Sequence, residues 1–339
     1  MKPKPILSNL LTAFFLIESL WGFAQNYTPK TDDKIRAEQV ADMKFGMFIC
    51  WSFSTFSGEE WTPTEGKSAS YFKAAGCNTD QWCKVAKDAG MKYILFLTKH
   101  HDGFCLWDTK TTEKKVTNSP LGIDVLAKLK KSCDKYGLKL ALYFSEGDWT
   151  FPGAGFSKSG GSDPGKKKEQ LKELLTSYGP VEYIWFDHAQ GDGGLSHAET
   201  DAWVAKFQPD CLPGYNHGEP AGRIRLGEMG SPSALDDISG AGYNKHAADY
   251  KGYIVAEFTY PILPEHKGGA MWFYSLPEHD NLCLPAEKIF QDYLGAVKYR
   301  NIFSLNIGPD YKGNIRKIDV QTLHEVGKMI KKHGKKDGR

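Results

Sequence analysis

Val181-Glu182-Tyr183-Ile184-Trp185-Phe186-Asp187 is a run of β-forming residues that ends on a carboxylate. Branched and aromatic side chains at successive positions, rather than at alternate ones, predict a strand buried on both faces, as in a parallel sheet covered by helices. Asp187 then stands at the carboxyl end of that strand, the end at which parallel sheets and barrels bind their ligands. The commonest task of an aspartate after a strand is to cap a helix. Here the following residues, His188-Ala189-Gln190-Gly191-Asp192-Gly193-Gly194, form a glycine-rich loop and not a first helical turn. Asp187 is therefore read as a catalytic residue.

Upstream of this strand the chain alternates between the two periodicities. Phe45 to Phe53 reads as a strand, Thr79 to Ala89 as a helix capped by Asn78 and stopped by Gly90, and Tyr93 to Thr98 as the next strand. Asp124 caps a helix through Tyr136 in which Val125, Leu126, Leu129 and Cys133 share one face; Gly137 ends it, and Leu138 to Phe144 returns as strand. A helix from Lys166 to Tyr178, ended by Gly179-Pro180, leads into Val181. Downstream come a helix from Ala198 to Phe207 and weaker strands near Cys211 and at Ile224 to Gly227, Ile254 to Phe258, Ala270 to Tyr274 and Ile302 to Asn306, then a last helix from Val320 to Lys331. This is one strand candidate more than a (β/α)8 barrel needs.

Repeated strand-helix units over about 250 to 300 residues favour a single (β/α)8 barrel of the α/β class over a doubly wound sheet. No G-x-G-x-x-G follows the first strand and no Walker lysine motif occurs, so a nucleotide-binding open sheet lacks support. Basic and acidic residues nearly balance, 43 against 41, which gives no extended surface for nucleic acid and suits a neutral partner such as a carbohydrate. Aromatic residues at 13% suit a pocket that stacks on sugar faces, though large cores also use them. The loops 118–123, 150–165 and 214–222 are rich in Gly, Pro and Ser and are expected to rim the pocket.

Residues 1–24 read as a signal peptide: Lys2 and Lys4 precede an apolar run from Leu10 to Ile17, and Gly22-Phe23-Ala24 supplies small residues before Gln25. The run is too short for a membrane span, so export to the periplasm or beyond is expected. The barrel then occupies 25–335 and a basic tail 336–339. Cys50, Cys77, Cys83, Cys105, Cys133, Cys211 and Cys283 lack metal-ligand spacing, and the sequence leaves open a Cys77–Cys83 bridge.

Strand ends carry the candidate chemistry. Phe45 to Phe53 leads to Glu59-Glu60-Trp61, Tyr93 to Thr98 to Lys99-His100-His101-Asp102-Gly103-Phe104, and Leu138 to Phe144 to Ser145 and Asp148-Trp149. His100 and His101 could bind substrate hydroxyls or a metal; neither H-E-x-x-H nor His-x-His occurs, which makes metal hydrolysis the lesser reading.

Phe45-Gly46-Met47-Phe48-Ile49, Glu60-Trp61, Lys99-His100-His101-Asp102-Gly103-Phe104, Tyr178-Gly179-Pro180, Trp185-Phe186-Asp187 and Leu305-Asn306-Ile307-Gly308-Pro309-Asp310 together resemble the α-L-fucosidase family of retaining glycoside hydrolases, over about residues 40 to 330. The resemblance implies a (β/α)8-like barrel, Asp187 as nucleophile, a pocket lined by Glu60, Trp61, His100, His101 and Trp185, and no metal or organic cofactor. Tyr143, Arg225 and Trp272 complete the expected sugar contacts. The acid/base glutamate moves between subfamilies: Glu228 is favoured, although Gly227 precedes it where asparagine is expected, and Glu257 is the runner-up. Family members usually carry histidine before tryptophan where this chain has Cys50-Trp51, a change at an expected sugar contact. The family's barrel is commonly followed by a β-sandwich; a lone catalytic domain is expected here. The rival readings are an α-L-galactosidase and a non-catalytic carbohydrate-binding barrel.

Overall fold

In the computed structural model, which describes residues 30–150, 163–189, 194–217, 221–230 and 253–336, eight parallel strands follow one another around an axis. They are β1 (Phe45–Ile49), β2 (Tyr93–Lys99), β3 (Lys139–Ser145), β4 (Tyr183–Asp187), β5 (Leu212–Tyr215), β6 (Ile224–Glu228), β7 (Val255–Pro261) and β8 (Ile302–Ile307). Hydrogen-bonded neighbours run β5-β4-β3-β2-β1-β8-β7-β6. Across the remaining seam, among the described residues, Gly214 forms an isolated antiparallel bridge with Gly222 and Arg223 N donates to Pro213 O at 2.7 Å, so the barrel is nearly closed. The expected (β/α)8 class is what is found. The expected signal peptide and the end of the basic tail lie outside the described residues, as do much of the loop 150–165 and part of 214–222.

Helices cover the outside: α1 (Asp33–Ala41), the short α2 (Ser54–Ser57), α3 (Thr79–Asp88), α4 (Val125–Tyr136), α5 (Pro164–Ser177), α6 (His197–Phe207), α7 (Ala286–Tyr299) and α8 (Lys317–Lys336). Their boundaries follow local chemistry. Asn78, Asp124 and Asp163 accept from the backbone N–H of Gln81, Ala127 and Lys166, and Ser196 with Glu199 closes a reciprocal capping box on α6. Gly137 ends α4 at φ 63°, a left-handed conformation that costs glycine nothing.

Two sequence expectations change. Phe45 to Phe53 is strand only as far as Ile49, because the chain turns into α2. Ala270 to Tyr274 is not a strand. This is the surplus candidate: its apolar residues belong to an irregular loop that folds over the barrel mouth, and Phe273 and Tyr274 press their backbone against Gly308. A Cβ at Gly308 would stand 2.2 Å from Tyr274 N, so only glycine permits the approach. All seven cysteines are free, and Cys83 faces Cys133 rather than Cys77, with sulfurs 3.8 Å apart between α3 and α4.

The barrel interior is filled by aromatic side chains with a few polar groups tied together. Tyr93 OH and Tyr183 OH lie 2.7 and 3.1 Å from Ser304 Oγ, and the Tyr93 ring occupies the space that Gly46 leaves by having no side chain.

Candidate active site

At the carboxyl end of the barrel a cavity of about 220 Å³ is lined by Phe48, Cys50, Glu60, Trp61, Leu97, His100, His101, Tyr143, Trp185, Asp187, His188, His217, Glu228, Trp272 and Phe273. Ten of the thirteen site residues expected from sequence thus face one space. The histidine pair enters through an irregularity in β2: Leu97 pairs with Tyr143 but Lys99, two residues on, pairs with Phe144. Thr98 is the extra residue, and its hydroxyl donates to Tyr143 O at 2.6 Å. Such a bulge shifts the alternation of the strand, so that Leu97 and then His100 and His101 all reach the cavity.

Asp187 is held from several sides. Tyr143 OH donates to Oδ2 at 2.6 Å; Asn216 Nδ2 and the His188 N–H donate to Oδ1 at 2.9 and 2.8 Å. Two imidazoles flank it, His101 Nε2 and His217 Nε2, each 3.6 Å from a carboxylate oxygen. His101 is nearly fully buried, and burial pushes its pKa down to about 4 against the pull of Asp187. Its Nδ1 lies 2.6 Å from Ser145 Oγ, whose own proton goes to Gly147 O. The ring must therefore donate through Nδ1, which leaves Nε2 as an acceptor facing the cavity.

Glu228, at the end of β6, lies across from Asp187. Asn216 Nδ2 donates to its Oε2 at 2.7 Å, the same nitrogen that holds Asp187. Desolvation and then the neighbouring Asp187 raise the pKa of Glu228, while Asn216 and His217 oppose the rise. A carboxyl whose pKa is raised faces one that accepts three hydrogen bonds. Such pairs separate acid from nucleophile. Glu60 is also raised, by burial, and is clamped through Oε2 by the N–H groups of Met271 and Trp272 at 2.6 and 3.2 Å. That is how the loop after β7 is tied to the loop after β1. The Cys50 thiol lines the cavity and is pushed well up by burial and then by Glu60 and Asp187, so it is present as the neutral thiol.

Three expected site residues stand elsewhere, and strand geometry explains each. Trp51 follows Cys50 and takes the opposite face; it packs edge-on against Phe72 and Trp82 and donates through Nε1 to Asp310 O. Arg225 is out of phase with Glu228 on β6, and its Nη1 bonds Leu226 O. Glu257 shares no wall of the cavity, because the register pairs it with Leu226, two residues deeper than Glu228. It is fully buried and accepts from Trp185 Nε1 at 3.2 Å.

The structure also adds Asn216 and His217, directly after β5, and His188 after β4. A polar pair at the end of a short strand was their only mark in the sequence. His188, His217 and Met229 each follow a site residue, Asp187, Asn216 and Glu228, and all three have positive φ (55°, 68° and 49°) without being glycine. Left-handed backbone at bulky residues is uncommon and gathers at functional sites. Among the described residues no three His, Cys, Asp or Glu side chains gather as metal ligands.

Comparison with known proteins agrees with this geometry. The chain is 28% identical over 301 residues to alpha-L-fucosidase 1 of Arabidopsis thaliana, covering 84% of this chain and 57% of the relative, and 26% identical to a putative alpha-L-fucosidase 1 of Oryza sativa, of which it covers 56%. It thus spans little more than half the length of these curated relatives. Among solved structures, alpha-L-fucosidase isoenzyme 1 from Paenibacillus thiaminolyticus superposes with a TM-score of 0.73 at 26% identity, covering 90% of this chain and 77% of that one. A glycoside hydrolase 29 family member from a rumen bacterium gives 0.69 at 27% identity, covering 89% and 57%. Residues 66–335 match the family model described as Alpha-L-fucosidase, and with a barrel of eight parallel strands and two carboxyl groups facing each other at its mouth, the chain belongs to the α-L-fucosidase family.

Proposed function

We propose that this protein is an exported retaining α-L-fucosidase that releases terminal α-L-fucose, or a close relative of it, from glycans. The observation that carries the proposal is the shared Asn216 amide. Its two bonds put Asp187 Oδ1 and Glu228 Oε2 no farther apart than the sum of 2.9 and 2.7 Å. A double displacement needs its carboxyl groups about 5–5.5 Å apart, whereas inversion needs roughly 6.5–9.5 Å to admit a water between them.

In this reaction Asp187 attacks the anomeric carbon and the Glu228 proton passes to the departing glycosidic oxygen. Glu228, now a carboxylate, takes a proton from water, which attacks the glycosyl-Asp187 ester and frees both sugar and nucleophile. His101 Nε2 accepts from a sugar hydroxyl, and Glu60 holds another. The aromatic wall of Trp61, Tyr143, Trp185 and Trp272 covers the ring.

Export belongs to the same reading and rests on the charged, apolar and small-residue pattern of 1–24. No helix among the described residues is long and apolar enough to cross a membrane. Hydrolysis of a nitrophenyl α-L-fucoside, followed by NMR, should yield the α-anomer first. Appearance of the β-anomer first would overturn retention. Binding of fucose without any turnover would favour the carbohydrate-binding barrel.

A further inference from the structure

Beneath the cavity floor lies a carboxyl group that the reaction above does not use. Glu257 is 0% exposed, and its Oε1 makes no well-formed hydrogen bond, with only the Ser304 side chain bearing on the carboxyl besides Trp185. Oε2 accepts from Trp185 Nε1 at 3.2 Å. Trp185 lies flat on Tyr143, ring centres 5.4 Å apart and planes within 20°, and Tyr143 OH donates to the nucleophile Asp187 at 2.6 Å. Glu257 on β7, Trp185 on β4 and Tyr143 on β3 thus form a connected path from the barrel interior to the attacking oxygen.

Resting on the fucosidase reading, we propose that Glu257 is a positioning residue: a carboxyl that stays protonated in the barrel interior and fixes the Trp185 indole, and through it the Tyr143 hydroxyl that aims Asp187. A carboxylate at this depth would leave Oε1 charged and unsolvated, whereas the neutral acid carries only the smaller cost of a buried hydroxyl while Oε2 accepts from Trp185. The groups facing it are Trp185 and Tyr183 on β4, Tyr93 on β2, Ser304 on β8 and, farther off, Glu228 on β6. Both phenols are held in their neutral form by burial. Burial drives Glu257 up to about 8, with the Ser304 and Trp185 hydrogen bonds opposing. The same depth removes it from the leaving group, so a proton donor to substrate and a proton-bearing support are different residues.

Two substitutions and one spectrum test this. Glu257→Gln preserves shape and the acceptor for Trp185, and should keep kcat/KM within about threefold of wild type on both aryl and unactivated fucosides. Glu257→Leu removes the acceptor and should lower kcat/KM roughly 100-fold on both, the scale of a small misplacement of a reacting group. The third readout needs no substrate and no folded Leu variant. In wild-type protein the indole Nε1–H resonance of Trp185, assigned with Trp185→Phe, should move with pH about a midpoint near 8, and in Glu257→Gln it should not. A Gln variant that loses turnover chiefly on poor leaving groups would make Glu257 the acid/base and overturn the proposal. An indole resonance indifferent to pH would also overturn it. An inactive wild type whose indole titrates as expected would count against the fucosidase reading alone.

Discussion

Asp187 Oδ1 and Glu228 Oε2 accept hydrogen bonds from a single nitrogen, Asn216 Nδ2. One amide thereby limits the distance between the two carboxyls and opposes the rise in the pKa of Glu228. Asn216→Ala should raise the pKa of Glu228 further, because the bond opposes the rise that desolvation and Asp187 produce. The alkaline limb of kcat/KM should move to higher pH. The maximum should fall about ten- to a hundredfold, the equivalent of a bond to a charged group worth about 1.5–3 kcal/mol. A pH-rate profile that keeps its alkaline limb would refute the bridging role.

Asp187→Gly should lose nearly all turnover, and azide should restore part of it by occupying the vacated space and attacking the same carbon. The azide product would then carry the opposite anomeric configuration to the substrate. Full activity in the glycine variant would sink the assignment of the nucleophile.

Glu228→Ala should suffer most on substrates with poor leaving groups and far less on activated aryl glycosides, which need little protonation. Comparing kcat/KM across a series of leaving groups checks this. A uniform loss over the series would mean that Glu228 shapes the pocket without donating the proton.

Cys50→His should improve hydrolysis of plain aryl α-L-fucosides and worsen that of the natural substrate. The thiol lines the cavity as a small neutral group beside Glu60 and Asp187. An imidazole there would add a directional bond to a sugar hydroxyl, worth about 1–3 kcal/mol, or roughly one to two powers of ten in affinity. It would also take up room that the smaller thiol leaves for a bulkier substituent on the natural substrate. Unchanged kinetics on both substrates in a folded variant would take Cys50 out of the sugar site.

Acid stability should depend on Asp148. Burial opposes its ionisation, but Lys99 and Lys166 outweigh burial and hold its pKa at about 2, with Lys166 Nζ at 2.8 Å. A carboxyl depressed in the folded state stabilises fully above its unfolded value near 3.9, and that contribution is lost as pH falls toward 2. It amounts to on the order of 2 kcal/mol. Asp148→Asn should lower Tm at pH 6 and flatten the decline of Tm between pH 4 and 2. An unaltered slope there would place the acid sensitivity elsewhere.

The sequence made the first half of the barrel plain, and the second half less so, for physical reasons. From β1 to β4 the strands are predominantly apolar and aromatic runs, and the helices carry caps with good side-chain geometry at Asn78, Asp124 and Asp163. β5, Leu212–Tyr215, is interrupted by proline and glycine, and β6, Ile224–Glu228, mixes Arg225, Gly227 and Glu228 with two apolar residues, so pattern alone could not rank them above Ala270–Tyr274. Asp187 and Glu228 were legible because a carboxylate after a strand is conspicuous. Asn216 was not, since its importance comes from standing between residues on β4 and β6. Trp51 and Arg225 were misplaced by one residue of alternation, and Glu257 by two residues of depth. The depth of Glu257 is set by register, which is a property of neighbouring strands rather than of any one stretch.

The left-handed residues after Asp187, Asn216 and Glu228 bear on how such a barrel can change its diet. Each of His188, His217 and Met229 takes a left-handed backbone within two residues of its strand's end. The orientation of the reacting groups is consequently inherited from the sheet, and the segments beyond these residues can lengthen, shorten or exchange side chains without turning a carboxyl away from its partner. Chemistry and appetite become separately mutable: insertions behind these three hinges would remodel what is tolerated as the departing alcohol and leave the double displacement intact.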